Sequence, residues 1–284
     1  MLLAVLPFAG TDVLLACFGW ATESAVVVIW VIGLSALLGL ITWRLQAATP
    51  AAAAAGAVIT ASLMFSTVEF PYEPWHTALI PMLAVSLLAF VATRAGRGKK
   101  ERLGTAEARR GRAASQVVAN LGVAALVASE PARIWLLDSR WLPRAAHAPR
   151  ILFVLALAAL AEAAADTVSS EIGQVLGGRP RMITTLRRVE PGRNGAVSVA
   201  GTLAGVVAAA IVAGAGSWAL RGDWKLFELS CAGAVFGLFF DSLLGATLEE
   251  YGWLNNDAVN FLSTASASAF ALGMMSVLPH SGIQ

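Results

Sequence analysis

Nine apolar runs separated by short polar stretches organise this chain: 2–20, 25–43, 50–66, 77–93, 113–128, 150–169, 195–217, 227–247 and 258–277. Within each run the apolar residues are continuous and rich in Ala and Leu. They do not alternate, so the pattern predicts helices and not half-buried strands. The lengths sit near the roughly 20 residues that cross a hydrocarbon core. Backbone in lipid must satisfy its own hydrogen bonds, which again selects helices. The expected fold class is all-α, a polytopic transmembrane helical bundle of eight or nine spans in which residues 1–284 form one integral membrane domain. Thr11 and Asp12 interrupt the first run, so residues 1–24 are the weakest of these spans. The opening MLLAVLPFAG has no basic leader and reads as a retained membrane segment. The stretch AAAAAGAV (51–58) either permits close helix contact or is alanine-rich background.

Composition sharpens this picture. Of 284 residues, 57% are hydrophobic and 13% charged, with mean hydropathy +0.71. A soluble domain carries about 25% charge, so too little polar sequence remains to coat one. Cys17 and Cys231 both lie in apolar runs and read as small core residues, not as a disulfide or metal pair. His76, His147 and His280 flank segments without ligand spacing.

Charge then orients the bundle. Segment 94–112 holds eight basic and two acidic residues, a net of +6, and 171–194 holds five and two, a net of +3. The positive-inside rule places both loops, and by alternation 249–257, in the cytoplasm, with Glu69, Glu73 and the loop 129–149 on the other side. The expected location is the inner or plasma membrane of a prokaryote. The basic loop lacks interleaved aromatics, so nucleic acid is not an expected partner.

Carboxylates in or near hydrocarbon are costly and usually face a cavity, a bundle interior or an ion. Asp166 and Asp241 stand near the ends of two apolar runs, at similar depth on the expected cytoplasmic side. Glu162 lies four residues before Asp166 and Glu171 follows it. Such acids either pair with arginine or hold an oxygen-seeking cation such as Mg²⁺, together with phosphate. The loop 177–198 suits an anion. Its glycines allow close backbone approach, Arg187, Arg188 and Arg193 offer forked donors, and Asn194 stands where the next helix begins. It is not a P-loop. Asn256 and Asn260 open the last run as helix caps or binding contacts. Gln116 and Asn120 share one helix face and either bind a polar group or join helices.

The polar islands RRGRAASQVVAN (109–120), AADTVSSEIG (164–173), ITTLRRVEPGRNGAVSVAGTLAG (183–205), FFDSLLGATLEE (239–250) and NNDAVNFL (255–262) resemble the DUF92, or TMEM19-like, integral membrane family. The resemblance runs from about 25 to 277. That family includes proteins similar to phytyl-phosphate kinase. The resemblance therefore implies Mg²⁺-dependent phosphoryl transfer from CTP or ATP to a prenyl monophosphate at the cytoplasmic membrane face. It marks Asp166, Glu171, Arg187, Asn194, Asp241, Asn256 and Asn260 as site residues. Asp166, Asp241 and Glu171 are the expected catalytic and metal ligands. Arg187, Arg188, Arg193, Asn194, Asn256, Asn260, Gln116 and Asn120 are the expected substrate or nucleotide contacts. A transporter or scramblase of an anionic lipid or phosphorylated solute would use the same charges nearer midplane.

Overall fold

A computed structural model describes residues 1–105, 111–138 and 150–277. Arg109, Arg110, Trp141, His147, His280 and much of the 129–149 loop lie outside the described residues. Helices stand at every predicted run. In chain order they are α1 (Leu2–Glu23), α2 (Ala25–Arg44), α3 (Pro50–Ser66), α4 (Leu79–Arg94), α5 (Arg97–Leu103), α6 (Ala114–Ala128), α7 (Glu130–Asp138), α8 (Arg150–Leu176), α9 (Val199–Ala219), α10 (Trp224–Leu244) and α11 (Asn256–Val277). The short α5 and α7 belong to connections. The start signals are local: Thr49 caps α3 ahead of Pro50, Ser198 caps α9, and Asp223 caps α10. Strands β1 (Arg181–Met182) and β2 (Ala196–Val197) pair antiparallel within the 177–198 loop.

This is an all-α integral membrane fold. Among the described residues six helices are long and apolar enough to cross a membrane, and seven if α4 and α5, bent by 64°, form one span. That is below the eight or nine expected. The reason is physical: α3 and α6 have 17 and 15 residues, at or under the length that spans hydrocarbon without tilt or thinning.

Helix α8 is the hub. It is buried along most of its length, with α4, α6, α9, α10 and α11 packed around it. Glycine permits this closeness. A Cβ at Gly201 would fall 2.6 Å from the Ser169 carbonyl, and one at Gly205 would fall 2.8 Å from that of Ala165. Without a hydrophobic drive between helices in lipid, such backbone approach supplies the packing. Likewise α2 meets α3 where Gly39 lies against the Ala53 carbonyl, so part of the alanine run does serve helix contact.

The two basic loops lie at one end of the bundle, as the charge pattern required. Lys99 donates to the Val175 carbonyl, Thr105 bonds Gln174, and Gly192 packs on Thr105. At the opposite end Arg221 pairs with Glu73 at 2.7 Å, and His76 Nδ1 lies 3.0 Å from the Ala219 carbonyl.

Asp12, the interruption in the first run, is absorbed by packing. Its carboxylate accepts from Ser62 Oγ at 2.6 Å and from the Glu130 amide at 3.2 Å. It thereby ties α1 to α3 and to the start of α7, and α1 runs unbroken through it. Replacing Asp12 by Ala strands the buried Ser62 hydroxyl and removes the acceptor of the Glu130 amide. We expect a loss of about 1–3 kcal/mol, read as a lower unfolding midpoint of detergent-purified protein. An unchanged midpoint would remove this role from Asp12.

Candidate functional site

Helix α8 continues to Leu176, well beyond the predicted end at 169. Asp166, Ser169 and Ser170 are therefore on regular helix, with rigid spacing. On α10, Asp241 and Ser242 sit just before the helix widens into a π segment over Gly245–Glu249. Such segments are rare and concentrate at functional sites. Here the widened turn lies against the 177–198 loop. A Cβ at Gly195, whose φ is +71°, would fall 2.4 Å from Ala246. Only glycine combines that backbone with that contact.

The loop, α8, α10 and the start of α11 enclose a cavity of about 130 Å³. Asp166 and Asp241 line it, together with Ser169, Ser242, Glu249, Arg193, Asn194 and Asn256. The Asp166 and Asp241 carboxyls stand at hydrogen-bonding range of each other. Asp241 Oδ1 is shut from solvent and has no hydrogen-bond partner among the described residues. One turn deeper, Glu162 is fully buried, with Oε1 also unpartnered and Ser263 in reach of its carboxyl. Gly237 leaves room for it: a Cβ there would fall 2.5 Å from Glu162 Cγ. Two carboxylates this close need a proton or a cation between them.

Among the described residues no group of three or more His, Cys, Asp or Glu side chains is arranged to hold a metal ion. The donor set nonetheless fits Mg²⁺. That ion is commonly bound through one or two carboxylates, with waters and substrate phosphates completing its shell. The orphaned Asp241 oxygen, beside the Asp166 carboxyl, is a ligand of that kind.

The structure brings five of the expected residues to this cavity: Asp166, Asp241, Arg193, Asn194 and Asn256. Arg193 is held there by Glu250 at 2.7 Å. The others lie elsewhere. Glu171 accepts from Lys100 Nζ at 2.6 Å, on another side of α8. Arg187 and Arg188 are exposed on the loop outside the cavity, Arg188 in a backbone bridge to Arg181. Asn260 is a turn inside α11, where its carbonyl accepts the Ser263 and Thr264 hydroxyls. Gln116 Oε1 accepts the Ala113 amide and caps α6, and Asn120 Nδ2 donates to the Gln116 carbonyl. Gln116 thus serves helix structure, while Asn120 also lines a second, larger cavity.

Two cations escaped sequence reasoning. Lys100 reads as one more solvated charge in RGKKER, yet it is completely buried. Arg112 closes the basic loop, and its Nη2 donates to Thr167 Oγ1 at 3.3 Å, beside Asp166. The sequence marked Arg112 only as a member of the island RRGRAASQVVAN; the structure shows why a glycine precedes it, since a Cβ at Gly111 would fall 2.5 Å from the Ala47–Ala48 backbone.

Residues 33–268 match the family described as integral membrane protein DUF92, and the chain belongs to that family. It is 33% identical over 210 residues to an uncharacterized membrane protein of Synechocystis, covering 70% of this chain and 74% of that one. Over 108 residues it is 43% identical to an uncharacterized membrane protein of Methanocaldococcus jannaschii, covering 38% and 45%. Over 112 residues it is 33% identical to the chloroplastic protein VTE6 of Arabidopsis thaliana, covering 38% and 34%. The matched regions thus span less than half of the latter two relatives. No solved structure matches.

Proposed function

We propose that this DUF92 membrane protein transfers a phosphoryl group from a nucleoside triphosphate to a prenyl monophosphate at the membrane face that carries its basic loops. The observation that supports this most is the small cavity lined together by Asp166, Asp241, Arg193, Asn194 and the capped start of α9. The resemblance of its polar islands to the phytyl-phosphate-kinase-like members of the DUF92 family points the same way.

A cavity of about 130 Å³ is smaller than the roughly 300 Å³ at which sites for whole small molecules begin. It suits phosphate groups and leaves the nucleoside outside, where Arg187 and Arg188 are exposed. Bound Mg²⁺ would neutralise phosphate charge between Asp166 and Asp241. The protein's own part is positioning. The Arg193 guanidinium, oriented by Glu250, carries charge toward phosphate oxygens, and the Asn194 and Asn256 amides orient them. A phosphate oxygen of the acceptor attacks the γ-phosphorus, the bond from that phosphorus to the bridging oxygen breaks, and the nucleoside diphosphate leaves with that electron pair. The acceptor is already ionised, so no strong base is required, and charge neutralisation with alignment carries the catalysis.

One observation favours the other reading, transport of an anionic lipid or phosphorylated solute. Glu162 extends the acidic line one turn deeper, with an unpartnered oxygen. The deciding experiment incubates purified protein with Mg²⁺, ATP or CTP, and a prenyl monophosphate, and follows the lipid product. Labelled prenyl diphosphate in stoichiometric balance with nucleoside diphosphate is the expected result. Nucleotide-independent flux across sealed proteoliposomes with no diphosphate formed would replace the kinase reading with transport.

A further inference from the structure

A second cavity, of about 500 Å³, lies between α2, α3, α4, α6 and α8. Its walls are mostly small or apolar, among them Ala53, Gly56, Met82, Val85 and Ala89. It exists because α4 packs on α8 and barely touches α3, its predecessor in the chain. Apolar voids of this size are rare in close-packed protein and lie within the roughly 300–1,000 Å³ of sites for single ligands.

At the basic-loop end its wall turns cationic. Arg94 is committed to the Leu45 carbonyl and lies over the Phe90 ring, and Arg97 pairs with Glu101 at 3.1 Å. Arg112 differs, because the partner of its Nη2 is the neutral Thr167 hydroxyl. Its backbone is fixed on both sides: the Arg112 amide donates to the Ala47 carbonyl at 3.0 Å, and the Thr49 amide donates to the Arg112 carbonyl at 3.0 Å. The guanidinium is thus held where the apolar cavity meets α8, in electrostatic contact with Asp166.

We propose that this cavity holds the chain of a single-chain lipid monophosphate, with the phosphate at Arg112 and Thr167. The pairing follows from the two ends of one void: apolar surface for the chain, a preorganised forked donor for the head. A two-chained phospholipid exceeds it. The site would deliver the acceptor next to Asp166, and in that respect it rests on the phosphoryl-transfer reading; chain binding itself does not.

The test measures equilibrium binding of geranylgeranyl monophosphate to purified protein in nanodiscs, beside inorganic pyrophosphate. A Cβ at Gly56 has only Val117 within 4 Å, at 3.8 Å, so Gly56→Phe fills the void without displacing backbone, and Ala89→Leu repeats the test from α4. Each filled variant, with an unfolding midpoint like wild type, is expected to weaken lipid binding at least about tenfold and leave pyrophosphate binding unchanged. Arg112→Gln is expected to weaken lipid phosphate but not geranylgeraniol. Wild-type lipid affinity in both filled variants would overturn the proposal. If the filled variants lose the lipid while wild type makes no diphosphate, the cavity assignment stands and the kinase reading falls. If wild type makes diphosphate and both filled variants match it in lipid KM, the cavity assignment falls and the kinase reading stands.

Discussion

Asp241→Asn is expected to lower kcat/KM for diphosphate formation at least about 100-fold, or roughly 3 kcal/mol of transition-state stabilisation, while making the folded protein more stable. The opposite signs come from one geometry. Asparagine keeps the volume and shape of the side chain on α10, so the helix and its π segment are undisturbed. It replaces a carboxylate oxygen with an amide that donates. Within the protein alone this relieves the juxtaposition of Asp166 and Asp241, with Glu162 and Glu249 nearby, and gives Asp166 a neutral donor. Sites kept unfavourable for function commonly gain stability on the order of 1 kcal/mol when neutralised. With substrate present, the same change removes the charge that would hold a phosphate-bound cation. Two measurements decide it: steady-state phosphorylation across Mg²⁺ concentration, and unfolding in detergent. Full activity together with a lower midpoint would mean that Asp241 is a packing residue.

The apolar pattern revealed more of this structure than its polar residues did. Nine helices follow nine runs because lipid and backbone hydrogen bonding leave the chain few alternatives. The two basic loops share an end, where Lys99 meets the Val175 carbonyl and Thr105 meets Gln174. What the sequence hid was pairing over distance. Glu171 lies close to Asp166 in the chain and reads as part of one acidic strip. A residue five positions along a helix faces a different neighbour, however, and that neighbour is Lys100, on a helix 71 positions earlier. Arg193 and Arg188 look equivalent in RRVEPGRN. The β1–β2 pairing, the contact of Gly195 with Ala246 and the ion pair of Arg193 with Glu250 place one at the cavity, while the other stays outside. The large cavity left no periodicity at all. It arises from a gap between α3 and α4, and a gap is a property of packing, which single-chain patterns do not record. The span count erred for a related reason: apolar character was read correctly in α3 and α6, but their length was marginal.

Lys100→Met should cost about 3–5 kcal/mol, the loss typical when one member of a buried ion pair is removed. Lys100 is completely buried and spends all three ammonium protons: on the Ala92 carbonyl at 3.0 Å, the Thr93 carbonyl at 2.6 Å and Glu171 Oε2 at 2.6 Å. The two carbonyls belong to the last turn of α4, where helical partners run out and the dipole favours a cation. The 64° bend between α4 and α5 returns Lys100 to that turn, made possible at Gly96, whose φ is +59° and which packs on Val175. Methionine fills much the same volume but abandons a buried carboxylate and two carbonyls at once. Adding Glu171→Leu removes the stranded charge, so the double variant should recover more than half of the loss, with only the carbonyls left unsatisfied. A double-mutant cycle on unfolding in detergent or by SDS titration reads the coupling directly. The same pair separates two roles for Glu171. If it only anchors the basic segment on α8, Glu171→Gln lowers the midpoint and leaves the Mg²⁺ dependence of the reaction as in wild type. If instead it belongs to the phosphate site, Glu171→Gln shifts that dependence at an unchanged midpoint. A Lys100→Met protein within about 1 kcal/mol of wild type would show that the basic segment does not depend on this pair, and that the contacts of Lys99 with Val175 and of Thr105 with Gln174 and Gly192 suffice to hold it.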